Sequence, residues 1–485
     1  MLEFFKNNIW YALFIVNYIL AISAVITIFF KRINPTKTLS YIIVLVFFPF
    51  VGLLIYYLFG QEYRKNKIFK KKRILNERVV QSIDDELELN REEVKQVQAF
   101  LEDKIKLVKL LRTNDNEPLS LNNRVEIFKS GDDKFEALLK DIKRAEHHIH
   151  LEYYIVMDSK IGLKVLNALC EKAKAGLQVR LIYDDVGSKI SRSMKRKLTH
   201  AGVRHRAFMP VFFSKFTGKM NYRNHRKIAV IDGVIGYVGG VNISDEYVNQ
   251  YRDKGYWRDT HSRIYGEAVK SLQVHFLSTW DFVSNENIAS YKPLFPKVED
   301  FNEQVAIQIA ASGPDTDWAN IMEVIFTAIL TAQKYVYITT PYFVPNSEML
   351  TAIQIAAKSG VDVRLIIPKK SDSWIVKHAS NSYLKALLDA GVKIYKYHEG
   401  FIHAKTMVID DVFCTIGTSN MDYRSFNINF EINSFMYDSV QSEILKSHFF
   451  EDLTQSTLIE YETFLNRSKF EKFKESYARL WSPLI

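Results

Sequence analysis

Two long apolar runs open the chain, and a doubled alternation of short apolar stretches with helix-like ones follows. Ile9–Phe30 is 22 residues without a charge, and residues 39–59 are 21 more. A helix needs about 20 apolar residues to cross a ~30 Å hydrocarbon layer. The short connector at residues 31–38 therefore predicts a transmembrane helical hairpin over residues 1–60, with spans at 9–30 and 39–59. A cleavable signal sequence fits less well, because a second span follows directly. Residues 82–112 are charged with apolar positions at helical spacing, which predicts a linker helix.

Beyond residue 120 the pattern occurs twice. HHIHLEYYIVMDS (147–159) is echoed by KYVYITTPYFVPN (334–346). KAGLQVRLIYDD (174–185) returns as KSGVDVRLIIPK (358–369), and LTHAGVRHRAF (198–208) as LLDAGVKIYKY (387–397). Runs rich in Val, Ile and Tyr alternate with helix-like stretches, the signature of α/β units around a mixed or parallel sheet. A period of roughly 180 residues is too long for a solenoid. It predicts two fused homologous domains facing each other across a pseudo-two-fold axis, divided near residues 295–303.

Charge changes this picture only locally. The net charge is +10, but residues 64–78 hold eight basic side chains against Glu77, which leaves +3 for everything else. A cluster just after an apolar span is a cytoplasmic, anionic-lipid-binding segment by the positive-inside rule, not a nucleic-acid surface. Both termini and the soluble domains are then expected in the cytoplasm. Cys170 and Cys414 match no metal or redox spacing. His147, His148 and His150 fall on an expected strand and are read as packed histidines, so no metal or other cofactor is expected. The C-terminal residues 441–485, apolar and basic at helical spacing, are expected to form packed helices rather than a membrane anchor. Residues 208–220 mix aromatics with lysines, and are read either as an interfacial loop or as a loop packed on the body.

Chemistry concentrates in HRKIAVIDGVIGYVGGVN (225–242) and HAKTMVIDDVFCTIGTSN (403–420). In both, a Lys follows the His by two positions, an Asp by seven and an Asn by seventeen: His225, Lys227, Asp232 and Asn242, then His403, Lys405, Asp410 and Asn420. His and Lys two apart on a strand share a face, which places an imidazole beside an ammonium as a bound phosphate requires. The two Asp residues fall in the hairpin turn, from which the chain returns the Asn toward the His–Lys pair. Asp232 and Asp410, counted with the catalytic motif, are expected to serve the turn and the lysines.

These two HxKxxxxD motifs resemble the phospholipase D superfamily, and within it the bacterial cardiolipin synthases. NYRNHRKIAVIDG, GGVNISDEY, WRDTH (257–261), TTPYFVP (339–345) and GTSNMDYRSFNINFEI (417–432) carry the narrower likeness, which spans nearly the whole chain and is weakest at 61–120. Asp411 departs from the glycine often found after the motif Asp, and Gly240 and Thr418 from serine. The resemblance implies two tandem phospholipase D-like domains, at 121–298 and 299–485, after a basic juxtamembrane segment and linker at 61–120. It implies transfer of a phosphatidyl group between two phosphatidylglycerols, releasing glycerol, through a phosphohistidine and without a metal. His225 becomes the nucleophile and His403 the acid/base, with the reverse as the alternative. Lys227, Lys405, Asn242 and Asn420 would bind phosphate oxygens. Asp259 is expected to orient His225, and Glu431 to orient His403. Phosphatidylglycerol and anionic membrane lipids are the implied partners, at a bacterial plasma membrane that the chain spans more than once; an oligomer is compatible with this. The rival activities are a phospholipase D-type hydrolase, another phosphatidyltransferase and, more remotely, a nuclease of the superfamily.

Overall fold

The computed structural model describes residues 2–30, 35–59, 101–209, 222–251, 255–284, 286, 288, 291–301, 304–316 and 318–484. These fall into a helical N-terminal unit and an α/β body. The basic cluster at 64–78, residues 82–100 of the expected linker helix and most of the aromatic loop at 208–220 lie outside the described residues.

In the N-terminal unit, helix Leu2–Phe30 contains Ile9–Phe30, long and apolar enough to cross a membrane. The second apolar run is not the single straight helix expected. It divides into Pro35–Phe47 and Pro49–Phe59, with Phe48 between them. Pro49 has no N–H to give the preceding turn, and its ring crowds the carbonyl four residues back, so the helix kinks there. Gly52 lies under this kink, where a Cβ would come within 2.7 Å of the Val44 carbonyl oxygen. Ala21, Ala24, Ile28 and Leu45 form a small core between the helices.

The body holds two sheets built alike. The first orders its seven strands Asn123–Phe128, His261–Gly266, Ile235–Gly239, Lys227–Ile231, His148–Tyr153, Gln178–Asp184, Arg204–Phe208. The second runs Ala306–Ser312, Glu431–Tyr437, Phe413–Gly417, Thr406–Ile409, Tyr335–Thr339, Asp362–Pro368, Lys393–Tyr397, and adds Ser456–Leu458 at its edge. In each, the last three of those seven strands are parallel and the other pairings antiparallel. The mixed sheet expected from the repeated pattern is thus present twice.

Side-chain alternation sorts each strand between two cores. On Lys227–Ile231, Ala229 and Ile231 join the core under the first set of helices, whereas Ile228 and Val230 point the other way. There they meet Ile307, Ile309, Ile366, Val408 and Ile432 of the second sheet. Both sheets therefore share one apolar core, and helices cover their outer sides. Helix Ile105–Asp115, read from sequence as the end of a linker, buries Leu107, Val108 and Leu111 in the second sheet's outer core. Lys104 just before it is 5% exposed and lies 3.2 Å from Asp410.

Truncating a side chain in the shared core removes contacts from both halves at once. Ile228→Ala is expected to cost about 2–5 kcal/mol and to lower the unfolding temperature of the detergent-solubilised protein in one transition. Two separated transitions would contradict a common core.

Candidate active site

Each histidine stands where a strand of one half is stitched to a segment of the other. Asn224 bridges Phe430, so that the His225 N–H donates to the Phe430 carbonyl at 2.9 Å. In the mirror position, Gly400–Ile402 pairs in parallel with Tyr256–Arg258, and the His403 N–H donates to the Arg258 carbonyl at 2.7 Å. The residues after those carbonyls are Glu431 and Asp259. This backbone pairing delivers each carboxylate to the histidine of the opposite half.

The carboxylate assignment made from sequence is therefore reversed. Glu431 accepts from His225 Nδ1 at 2.9 Å, and Asp259 accepts from His403 Nδ1 at 2.7 Å. The reason is topological: Asp259 ends the stitch that holds His403, and Glu431 the one that holds His225. Both carboxylates are buried, at 1% and 0% exposure. Burial pushes the Glu431 carboxyl up, but His225, Lys227 and the Thr418 hydroxyl outweigh it and hold it below its ordinary value.

His225, His403, Asn242 and Asn420 line one open cavity of ≈ 460 Å³. Lys227 and Lys405 lie buried behind the imidazoles. Lys227 Nζ donates to the His225 carbonyl at 2.7 Å, and Lys405 Nζ to the His403 carbonyl at 2.5 Å, with His403 Nε2 a further 3.2 Å away. Burial lowers the lysines to about 7 for Lys227 and about 8 for Lys405. It lowers the imidazoles to about 4 for His225 and about 3 for His403, which favours the neutral ring in both.

The asparagines are engaged more locally than expected. Asn242 donates to the Tyr247 hydroxyl at 2.7 Å and accepts from the Ile155 N–H at 3.2 Å. Asn420 bonds Asp422, while its buried Oδ1 has no partner.

Asp232 and Asp410 sit at the far end of the strand from the histidine, outside the cavity lining. They do serve the turn, each with positive φ (53° and 55°). Their carboxylates also gather backbone N–H groups: Glu146, His147 and His148 for Asp232, and Gln333, Lys334 and Tyr335 for Asp410. Among the described residues neither bonds a motif lysine; the ammonium on Asp410 is Lys104.

The histidine-rich strand forms a ladder. His147 meets His148 at 2.8 Å, Gln273 joins His148 to His150, and Arg180 closes on His150 at 3.0 Å. Among the described residues no three His, Cys, Asp or Glu side chains are grouped to hold a metal ion.

The half-sites differ behind the imidazoles. Thr418 gives its hydroxyl to Glu431 at 2.6 Å. At the equivalent Gly240 a Cβ would lie 2.0 Å from Asp259 Oδ1, so no side chain fits there.

Sequence reasoning missed the rest of the wall. Tyr154 meets the His225 ring at 5.0 Å, and Tyr247 and Trp257 meet His403 at 5.6 Å. Arg223 and Arg424 also line the cavity. Several carried a signal, since Arg223 lies two before His225, Arg424 four after Asn420 and Tyr247 five after Asn242, but Tyr154 is brought in from a distant element.

The chain can now be set beside known proteins. A family described as "Cardiolipin synthase, PLD-like domain" matches residues 138–280 and 325–453. The chain belongs to this family. A phospholipase D-nuclease N-terminal family matches residues 19–61. Cardiolipin synthase of Alkalihalophilus pseudofirmus is 44% identical, over 95% of this chain and 91% of its own. Cardiolipin synthase 2 of Bacillus anthracis is 42% identical over 94% and 88%, and the Listeria welshimeri enzyme 39% over 95% and 96%. Among solved structures, phosphatidylserine synthase of Haemophilus influenzae shares the fold with a TM-score of 0.60 at 13% identity, covering 78% of this chain and 100% of its own. The chain is accordingly an enzyme, a phosphatidyltransferase of the phospholipase D type.

Asp410→Ala strands three backbone donors and the Lys104 ammonium. A loss of about 3–5 kcal/mol of stability is expected, while kcat of the folded fraction changes by less than about threefold. An unchanged unfolding temperature with collapsed kcat would return Asp410 to the chemistry.

Proposed function

We propose that this cavity joins two phosphatidylglycerols into cardiolipin and glycerol through a phosphohistidine on His225. The observation that carries the reading is the convergence of two imidazoles on one cavity, each with Nδ1 held by a buried carboxylate. Fixing the proton on Nδ1 leaves the Nε2 lone pair for substrate. In the first step His225 Nε2 attacks phosphorus, the bond to the departing glycerol oxygen breaks, and protonated His403 gives that oxygen its proton. In the second, neutral His403 takes the proton from the acceptor's glycerol hydroxyl, whose oxygen attacks phosphorus as the P–N bond breaks. One phosphodiester replaces another, so no nucleotide is consumed.

Lys227 and Lys405 would neutralise the phosphoryl oxygens, with Asn242 and Asn420 as supporting donors once they exchange their present partners. Glu431 and Asp259 orient and support the two imidazolium states. Entry of an anionic phosphodiester raises the pKa of both imidazoles, which brings His403 the proton it donates.

The enzyme would sit in a bacterial plasma membrane. Ile9–Phe30 and the kinked run at 35–59 form two spans, the basic residues 64–78 lie at the cytoplasmic face, and the domains at 121–298 and 299–485 face the cytoplasm. An oligomer fits the same arrangement.

Purified enzyme given phosphatidylglycerol is expected to yield cardiolipin and glycerol in equal amounts; phosphatidic acid as the main product would favour the hydrolase instead. Quenching into alkaline denaturant, in which a P–N bond survives, with phosphatidylglycerol labelled on its phosphate should trap a phosphoenzyme that His225→Ala abolishes. His403→Ala should slow turnover by about 10²–10⁴-fold. Label retained in His225→Ala and lost in His403→Ala would exchange the two roles.

The lysines predict an alkaline limb. They bind phosphate only when protonated and lose that proton as pH rises through about 7 to 8 in the free enzyme. Therefore kcat/KM should begin to fall above pH ~7, where Lys227 loses its proton first. The limb in kcat should lie higher, because bound phosphate raises both lysines. A kcat/KM flat to pH 10 would contradict this role.

A further inference from the structure

Helix Lys469–Arg479 presents an apolar face to solvent. Phe470, Phe473, Tyr477 and Leu480 follow one another at helical spacing, with Trp481 beside them, at 66%, 66%, 47%, 76% and 41% exposure. Spacings of three and four put these side chains on one stripe. The helix is no loose end. Glu475 and Ala478 are buried on its opposite side, and Arg467 pairs with Glu475. Arg479 lies over the Tyr383 ring at 4.8 Å, and the Tyr383 hydroxyl bonds Ser482 at 3.0 Å.

The elements that hold this face also build the cavity wall. Tyr383 belongs to helix Trp374–Leu388, which supplies Val376 to the cavity and begins at Trp374, 51% exposed. The terminal turn Ser482–Leu484 packs on helix Tyr423–Asn427, which carries the cavity residue Arg424. Exposed Lys469, Lys472 and Arg479 flank the stripe.

Contiguous exposed aromatics of this extent on a folded body mark an interaction site. A stripe of Phe, Tyr, Trp and Leu edged with Lys and Arg fits the headgroup level of an anionic bilayer. The cavity supplies the second argument. It admits a headgroup phosphodiester, while the acyl chains of such a substrate stay in the bilayer, so its rim has to reach the lipid surface.

We propose that the exposed face of helix Lys469–Arg479, together with Trp374, is a membrane-docking surface that seats the cavity against anionic lipid. The inference rests on phosphatidyl transfer at this cavity. It departs from the reading of residues 441–485 as packed helices only, since this one is packed on one side alone.

The test uses the full chain in vesicles of phosphatidylcholine and phosphatidylserine, carrying bimane on Phe473→Cys or, as control, on exposed Lys358→Cys; the native Cys170 and Cys414 are buried. A nitroxide at the lipid interface should quench position 473 severalfold more than position 358. Equal quenching at the two positions overturns the proposal. So does self-quenching that rises with protein concentration, which would put a second copy on this face, or shielding from lipid nitroxide and aqueous iodide alike, which would put another part of the chain there. This readout needs no turnover, so it stands or falls apart from the reaction itself. In a second arm, the Phe470→Ser/Phe473→Ser double variant should keep its unfolding temperature and its rate on short-chain phosphatidylglycerol in micelles. Its KM for vesicle phosphatidylglycerol should rise about tenfold; an unchanged KM would overturn the proposal.

Discussion

Two buried carboxylate–imidazole pairs, each spanning the division between the halves, are the constraint on which the rest of this structure turns. Glu431 and Asp259 are withdrawn from water, and an ionised carboxylate in such a place is costly unless it is paired and fully hydrogen-bonded. Glu431 meets that demand with His225, Thr418 and Asn429; Asp259 meets it with His403 and the Thr260 N–H. Because each imidazole comes from the other half, neither half alone can complete the set around its own carboxylate. The shared core of Ile228, Val230, Ile309 and Val408 holds the sheets at the spacing these bonds need.

The motif aspartates work at a second level. By collecting three N–H groups apiece, Asp232 and Asp410 lock the hairpin turn to the start of the neighbouring strand. They set the strand's register, and hence where the histidine at its other end emerges.

What could be read from sequence was whatever is periodic or local. Doubling of the strand pattern, the equal spacing of two motifs and the length of Ile9–Phe30 all follow from side-chain order along one chain. Pairing of Glu431 with His225 did not, because sequence distance says nothing about which half supplies a partner. The same holds for Asp372 and Val376, which reach the cavity from the start of helix Trp374–Leu388. Pro49 was visible as a letter inside an apolar run, but hydropathy alone outweighed its backbone effect. Helix Ile105–Asp115 looked like a solvent-spanning linker since its charges are as regular as its leucines; only the second sheet's core shows which face is used.

The difference between Gly240 and Thr418 reaches furthest. A site assembled from two identical halves would accept a lipid in either of two orientations related by rotation, with the chemical roles exchanged. Here one half carries a short acid with no room beside it, and the other a longer acid with a hydroxyl at its flank. That broken degeneracy gives the two imidazoles unlike supports at one cavity.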